Sequence, residues 1–321
     1  MPSIITHHIF AEEVLKKTNI SNKINKELYQ TFAQSHDYLF YYAFDLKNSK
    51  QIKELGHHAH KNKSQEYLLN IIKNIKKNKL QNNDEALSYL YGSITHYVLD
   101  STCHPFIFYK TGAYHKDDPS TFKYKGLHTQ MERDIDAIYY EKYYNKKINK
   151  CNIAKEIINL PNFSNSLIEL ISKTYKDTFN KDNIGTFYIK AIKQSRFIHK
   201  LISNDRFGIK KIFYKIIDKV SNKKFGNITA YSTYNLKPNS NYLNNKKKTW
   251  NNPCHKNLKY NYSFDELFEL SINKCLDIFN KIDSFFNDRT SIDELKETIP
   301  NLSYINGLPL EEYTTMKYYE F

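Results

Sequence analysis

The chain has 321 residues, a formal net charge of +14, and only 8 glycines and 8 prolines. This length allows one large core or two modest domains, and so few helix-breaking residues favour helices over a many-stranded sheet. No apolar run reaches the roughly 18 residues that a membrane span needs, which excludes a transmembrane helix. The four cysteines have no CxxC spacing, so we expect free thiols and no disulfide framework.

Hydrophobic periodicity predicts an all-α fold, a multi-helix bundle. We predict helices over residues 8–19, 22–35, 48–60, 63–78, 84–103, 127–144, 163–178, 184–203, 206–221 and 263–286. Asn83 is the expected N-cap of the helix over 84–103, and Pro105 is expected to end that helix at His104. Ser263 and Glu266 have the spacing of a capping box at the start of the last helix.

The predicted elements divide into a metal-binding catalytic core over residues 1–145 and a helical remainder over 146–321 that packs on it. Residues 109–126 are predicted as a loop, and residues 222–261 as a long irregular segment of the kind that often forms a lid or is disordered. The helix over 206–221 has isoleucines on one face and lysines on the other. It is either an ordinary core-facing helix with solvated lysines or a helix that binds an anionic bilayer surface.

Histidines and carboxylates recur at helical spacing within the helix predicted over 84–103. His96 and Asp100 are four residues apart, which places an imidazole and a carboxylate one turn apart on one face. His104 lies one turn further along that face if the helix persists. Gly92 lies one turn earlier, where the lack of a side chain allows another backbone or a ligand to approach closely.

The same spacing occurs in the helix predicted over 127–144. His128 and Glu132 are four residues apart, and Asp136 continues the line. Further candidates upstream are His7, Asp37 and His60. Imidazole and carboxylate are ligands that zinc prefers where thiolates are absent, and burying so many ionisable groups without a metal is unfavourable. The pattern therefore predicts a multinuclear zinc site, and the alternative is a surface network of hydrogen bonds and ion pairs.

The remaining histidines have simpler interpretations. Of the adjacent His7 and His8, we expect at most one to point inward. We expect His57 and His58 to be exposed or to support a ligand without binding metal. Surface positions are predicted for His115, His199 and His255.

The segments THHIFAEEVL, HDYLFYY and YGSITHYVLDSTCHPF, with the ligand candidates in this order, resemble the zinc-dependent phospholipase C family, which is related in fold to single-strand nucleases of the P1 type. The resemblance covers roughly residues 1–140. It implies an all-α fold with three metals in a cleft. It also implies a zinc-dependent hydrolase that cleaves a phosphodiester, with an anionic phosphoester substrate such as a phospholipid at a membrane surface.

The resemblance also implies a ligand set. One zinc is held by Asp37, His60, His96 and Asp100; a second by His104, His128 and Glu132; and a third by His7 and a shared, bridging Asp100. Asp37 is in addition the candidate general base.

Two features depart from the family pattern. Secreted members use a processed N-terminal Trp as a ligand of the third metal, whereas this chain begins with Met1 and Pro2, and we expect no signal peptide and a cytoplasmic location. The third site is therefore complete by other means, weaker, or absent, so we expect two or three zinc ions. The four residues from Asp100 to His104 are also a shorter spacing than in the secreted enzymes.

Other functions stay open at this point. A single-strand nuclease or a phosphomonoesterase on the same fold would use a basic groove with aromatic residues. An HD-type phosphohydrolase would use His36 and Asp37 as its HD pair but leaves His128 and Glu132 without a role. A peripheral membrane or interaction protein with a structural metal site is the non-enzymatic alternative. The sequence does not predict the oligomeric state.

Overall fold

A computed structural model describes residues 4–203, 205, 207–221, 228–234, 236–312 and 314–320. The α-helices are α1 Ile4–Lys16, α2 Lys26–Phe32, α3 Ser49–Lys61, α4 Ser64–Lys77, α5 Asp84–Thr111, α6 Leu127–Tyr144, α7 Asn165–Phe179, α8 Ile184–Ile202, α9 Ile209–Val220, α10 Phe264–Phe286 and α11 Ile292–Thr298. Two strands, β1 Trp250–Asn252 and β2 His255–Tyr260, pair antiparallel. The expectation of an all-α fold is thus confirmed, apart from this small hairpin.

Helix α5 is the centre of the structure. It is 28 residues long, is buried along most of its length, and packs against α1, α2, α4, α6 and α10. Asn83 caps it as predicted, because its side chain accepts a hydrogen bond from the Ala86 N–H at 2.8 Å. A Cβ atom on Gly92 would lie 2.7 Å from the Tyr29 carbonyl oxygen and 2.7 Å from the Phe32 Cβ. The expected close approach at Gly92 is therefore made by the backbone of α2.

The prediction that Pro105 ends this helix at His104 is wrong. Proline cannot donate to the carbonyl of Ser101, a defect that costs about 3 kcal/mol in an exposed helix. Here the helix continues to Thr111, because the turn after the proline is buried and Phe106 is fully inside the core. Burial of apolar side chains thus outweighs the missing hydrogen bond, and His104 stays on a regular helix.

Most other helix boundaries agree with the periodicity to within a few residues, but the region before residue 42 differs. Helix α1 begins at Ile4, one turn earlier than expected. The single helix predicted over 22–35 is wrong, because α2 ends at Phe32 and a separate 3₁₀ helix, Ser35–Tyr41, follows. Ser35 has a positive φ of 39°, so the chain changes direction just before His36 and Asp37.

The segment predicted as irregular, 222–261, contains more structure than expected. Besides the hairpin it contains 3₁₀ helices at Ile228–Tyr231 and Ser240–Leu243; residues 222–227 and 235 lie outside the described residues. Trp250 on β1 is buried, with its ring centroid 4.5 Å from that of Tyr260 and 5.3 Å from that of Phe106 on α5. Aromatic packing thus fixes the hairpin against the central helix. The predicted loop 109–126 likewise includes the end of α5 and a 3₁₀ helix, Pro119–Tyr124.

Helix α9 is amphipathic as predicted, but it is not a core-facing helix. Its apolar stripe, which we call the outer stripe, points away from the protein and consists of Ile209, Ile212, Phe213, Ile216 and Val220. These side chains are 55–82% exposed, whereas Tyr214 and Asp218 on the opposite side are buried. The core-facing interpretation of this helix is therefore wrong.

One cluster of buried apolar side chains runs from Ile4 to Tyr304 and includes residues from both halves of the chain. The division at residue 145 stays a prediction. All four cysteines are buried and free, as expected. Within the described ranges, no helix is both long and apolar enough to cross a membrane. The cellular location also stays a prediction.

We predict that Gly92→Ala destabilises the protein, although alanine is the better helix former by about 1 kcal/mol. The added methyl group would overlap backbone atoms of α2, and such overpacking costs about 1–3 kcal/mol of unfolding free energy. Gly56→Ala on α3 is the matched control, because its nearest contact, at 3.1 Å, is the movable ring of Phe40. Thermal and urea denaturation should show a loss only for Gly92→Ala, and equal stability of the two variants would contradict this account of the α2–α5 contact.

Candidate metal centre

The structure brings together all eight residues that the sequence predicted as metal ligands. They come from α1, the 3₁₀ helix Ser35–Tyr41, α3, α5 and α6: His7, Asp37, His60, His96, Asp100, His104, His128 and Glu132. They fall into three adjoining groups, and within each group the potential ligand atoms lie within 4.8 Å of one another. A surface network is excluded, since His128, the most exposed of the eight, has only 23% of its side chain accessible.

The first group consists of His36, Asp37, His60 and His96. The His60 Nε2 atom is 2.9 Å from Asp37 Oδ1, and His96 Nε2 is 3.9 Å from the same oxygen. His60 Nδ1 lies 3.0 Å from the Gly56 carbonyl oxygen, to which it can donate. That hydrogen bond would place the proton on Nδ1 and leave Nε2 free to bind a metal.

His36 is a member of this group that sequence reasoning did not propose as a ligand. Its ring centroid is 4.2 Å from that of His60 and 5.0 Å from that of His96. Both of its ring nitrogens are buried without a hydrogen-bond partner in the described part of the chain. His36 lies on a 3₁₀ helix, where the i,i+4 spacing of an α-helix does not identify neighbours. Its position beside Asp37 was therefore the one sequence feature that pointed to it as a candidate ligand.

The second group consists of His7, His96 and Asp100. Asp100 Oδ1 is 3.0 Å from His7 Nε2, and Asp100 Oδ2 is 3.4 Å from His96 Nε2. Asp100 Oδ1 is also 3.7 Å from His104 Nδ1, so this carboxylate lies between the second group and the third. His96 belongs to both the first and the second group. The role of Asp100 as the bridging ligand stays a prediction.

The third group consists of His104, His128 and Glu132. Glu132 Oε1 is 3.0 Å from His128 Nε2 and 3.4 Å from His104 Nε2. His104 Nδ1 is 2.7 Å from the carbonyl oxygen of Tyr304, which directs the other nitrogen toward Glu132. Because α5 continues through Pro105, the short spacing from Asp100 to His104 keeps both side chains on one face.

The donor set fits zinc. Oδ2 of Asp37, Oε2 of Glu132 and Nδ1 of His96 are buried without a hydrogen-bond partner among the described residues. An unsatisfied buried polar group costs about 1–3 kcal/mol, and more if it is charged, so such a cluster needs an explanation. Imidazole nitrogens and carboxylate oxygens in groups of three or four are the ligand sets that zinc takes.

The pKa values of the histidines in the site also favour a bound metal ion. Burial lowers the pKa of His96 to about 4 and also lowers the pKa of His128, which favours the neutral, metal-binding form of both rings. Burial acts in the same direction on His104, but the Asp100 and Glu132 carboxylates outweigh it and raise its pKa to about 9. The buried carboxylates therefore require positive charge, which a divalent cation would supply.

Two contacts position ligands from far along the chain. Asp136, which continues the line of His128 and Glu132, is not in any of the three groups; it accepts hydrogen bonds from the Thr6 N–H at 2.8 Å and the Thr6 hydroxyl at 2.9 Å. It thereby anchors the start of α1, one residue before His7. Tyr304 orients His104 through its backbone carbonyl. Because every residue has such a carbonyl, the sequence could not identify this contact.

The other histidines lie outside the groups. The expectation that at most one of His7 and His8 points inward is wrong, because both are buried. His8 Nε2 is 3.9 Å from Glu12, and His8 is in none of the three groups. His57, His58 and His115 are exposed, and His255 is partly buried. The prediction of a surface position for His199 is wrong, because this ring is buried with Nε2 3.0 Å from the Tyr41 hydroxyl.

A helical protein that buries three adjoining groups of histidines and carboxylates belongs, by fold and donor set, with the metal-binding helical bundles. Comparison with known families narrows this class. The family model described as zinc dependent phospholipase C matches residues 1–196, and the chain belongs to that family. No curated protein and no solved structure gives a significant match to the chain.

We predict that the purified protein binds two or three zinc ions and that Asp100→Asn loses at least one of them. The amide keeps the shape of the carboxylate but removes the negative charge that a metal needs. Asp134→Asn is the matched control. Asp134, on α6, is a buried carboxylate like Asp100, but it accepts a hydrogen bond from the Asn239 N–H at 3.1 Å and lies outside the three groups. Elemental analysis after dialysis gives the measurement, and a wild-type protein without zinc would refute the prediction.

Proposed function

We propose that this protein is a zinc-dependent phosphodiesterase of the phospholipase C type, which cleaves the phosphodiester of a phospholipid by attack of water. The observation that carries the proposal is the set of three adjoining ligand groups with unpartnered carboxylate oxygens at their centre. Membership of the zinc-dependent phospholipase C family supports the same reaction. The set of eight ligands and the presence of two or three ions are part of the proposal.

Zinc, when bound, supplies positive charge for the phosphoryl oxygens and lowers the pKa of a water molecule toward neutrality. Asp37 is proposed to orient the attacking water and accept its proton. Its carboxylate is buried, with Oδ1 2.9 Å from His60 Nε2, whereas Oδ2 has no hydrogen-bond partner among the described residues and is available for this task.

A basic cavity, whose wall includes the residue before a candidate ligand, supports an anionic substrate. The cavity has a volume of about 1070 Å³ and is lined by five lysines, together with Tyr114, Phe122 and Leu127. Leu127 directly precedes His128, the most exposed candidate ligand. Lysines at this position attract a phosphate group and raise the rate of encounter.

The same cavity supports a second candidate, a single-strand nuclease. Tyr114 and Phe122 have ring centroids 5.9 Å apart and stand among lysines, and aromatic rings with basic neighbours can stack unpaired bases. An HD-type phosphohydrolase is not supported, because the chain belongs to the phospholipase C family. Substrate comparison separates these two candidates from each other and from a phosphomonoesterase on the same fold.

We predict that the zinc-loaded protein hydrolyses a water-soluble phosphocholine diester and a phospholipid, and that a chelator abolishes both activities until zinc is restored. Asp37→Asn should lower kcat on the order of a hundredfold, since a positioned base typically contributes that much. Asp134→Asn should retain activity, because it removes a carboxylate of α6 outside the three groups.

The panel also includes a phosphomonoester and single-stranded DNA. A preference for single-stranded DNA over both diesters would replace the phospholipase proposal with the nuclease, and a preference for the phosphomonoester would replace it with a phosphomonoesterase. Zinc binding without hydrolysis of any of these substrates would mean that the metal is structural.

A further inference from the structure

Helix α9 exposes the apolar face that an ordinary surface helix buries. The outer stripe defined above occupies positions i, i+3, i+4, i+7 and i+11 of α9, so it forms one continuous face, and that face is exposed. A soluble protein normally buries such a stripe, and a contiguous exposed apolar patch marks an interaction surface.

Specific hydrogen bonds hold the helix in this orientation. Asp205 accepts from the backbone N–H groups of Lys210 at 3.2 Å and Lys211 at 2.8 Å, at the start of the helix. At its other end, Asp218 accepts from the Thr229 N–H at 2.8 Å and the Thr229 hydroxyl at 2.6 Å. The polar side is thus satisfied by the protein, and only the apolar side lacks a covering partner in the described structure.

Neighbouring elements extend the apolar surface. Leu201 near the end of α8 is exposed, and its carbonyl accepts a hydrogen bond from the Lys210 ammonium group of α9. Phe197, one turn earlier on α8, is also exposed, with its ring centroid 5.7 Å from that of the exposed Phe44. Phe44 follows closely on the 3₁₀ helix that carries Asp37. Exposed apolar side chains are therefore also present on α8 and just after the 3₁₀ helix that carries Asp37.

The charge around this surface has one sign. Residues 189–221 include nine lysines or arginines and only two acidic residues, Asp205 and Asp218. Both acidic side chains are buried and bonded inward, whereas Lys215 and Lys219 are exposed at the edge of the outer stripe. An apolar stripe bordered by lysines is complementary to an anionic lipid surface, where the stripe enters the headgroup region and the lysines meet the phosphates.

We propose that the outer stripe of α9 is a membrane-docking face for a bilayer that contains anionic phospholipid. This proposal rests on the proposed phospholipase function, to which it adds the surface where substrate is met. Lys215 and Lys219 also line the basic cavity that reaches Leu127, next to His128. Docking through α9 therefore places the headgroup layer at the mouth of that cavity.

A second copy of the chain is a less suitable occupant. Two copies paired through this face would bring Lys215 and Lys219 of each chain toward those of the other, and like charges at an interface oppose association. The bilayer satisfies both the apolar and the basic part of the surface.

Vesicle flotation tests the proposal with the full-length, zinc-loaded protein and phosphatidylcholine vesicles with or without phosphatidylglycerol. We expect wild type to float with the anionic vesicles and to be released by high salt. The combined variant Ile212→Ser, Phe213→Ser, Ile216→Ser should bind them at least about tenfold more weakly, because three apolar side chains no longer leave water on docking. Leu258→Ser with Leu270→Ser, at exposed apolar positions outside this surface, is the matched control and should bind like wild type.

The triple variant should hydrolyse the water-soluble diester at the wild-type rate and lose rate only on vesicles. This pattern would show that the variant folds and that the loss concerns the lipid surface. Equal vesicle binding by wild type and the triple variant, or no binding by wild type, would overturn the proposal. So would a wild-type dimer that the triple substitution dissociates without any change in vesicle binding, because a second copy would then be the partner.

The two proposals can fail separately. Wild-type protein that binds anionic vesicles through α9 but cleaves neither the soluble nor the vesicle diester would retain the docking face and refute the phospholipase. If the protein cleaves the soluble diester but the triple variant binds vesicles as well as wild type does, the phospholipase proposal would be retained and the docking face refuted.

Discussion

The arrangement of this protein depends on one buried polar face on an otherwise apolar central helix. His96, Asp100 and His104 occupy successive turns of α5, inside a core where unpaired charge is unfavourable. The surrounding elements place further imidazoles and carboxylates against the same face, so candidate ligands from five elements lie together. The fold and the candidate metal centre therefore depend on the same contacts, because elements that surround the polar face of α5 also carry the other candidate ligands.

The second half of the chain contributes to this centre, although its described residues supply no candidate ligand. Tyr304 orients His104 through its carbonyl, and its ring lies against those of His36 and Tyr97. The hairpin fixes Trp250 against Phe106, one turn beyond the ligands on α5. Stability of the site therefore draws on residues that the family match over 1–196 does not include.

Access to the centre and the outer surface of α9 are related by geometry. The lysines at the edge of α9 line a cavity whose wall includes Leu127, the residue before His128, and Phe44 follows the 3₁₀ helix that carries Asp37. A reaction on a lipid headgroup requires the protein to meet an interface and to admit an anionic group. Under the proposed function, the basic cavity and the outer stripe of α9 would meet these two requirements, which would give the orientation of α9 a functional reason.

The sequence alone determined the features that depend on local spacing. The i,i+4 pairs on α5 and α6, the caps at Asn83 and Ser263, and the amphipathic pattern of α9 are all relations within one helix, which periodicity detects. The tertiary structure decided whatever depends on contacts between distant segments. These include the continuation of α5 through Pro105, the anchoring of α1 by Asp136, the position of His36 among the candidate ligands and the burial of His199. It also decided which face of α9 points outward. An amphipathic pattern defines two faces, and the hydrogen bonds that Asp205 and Asp218 accept determine which of them contacts the protein.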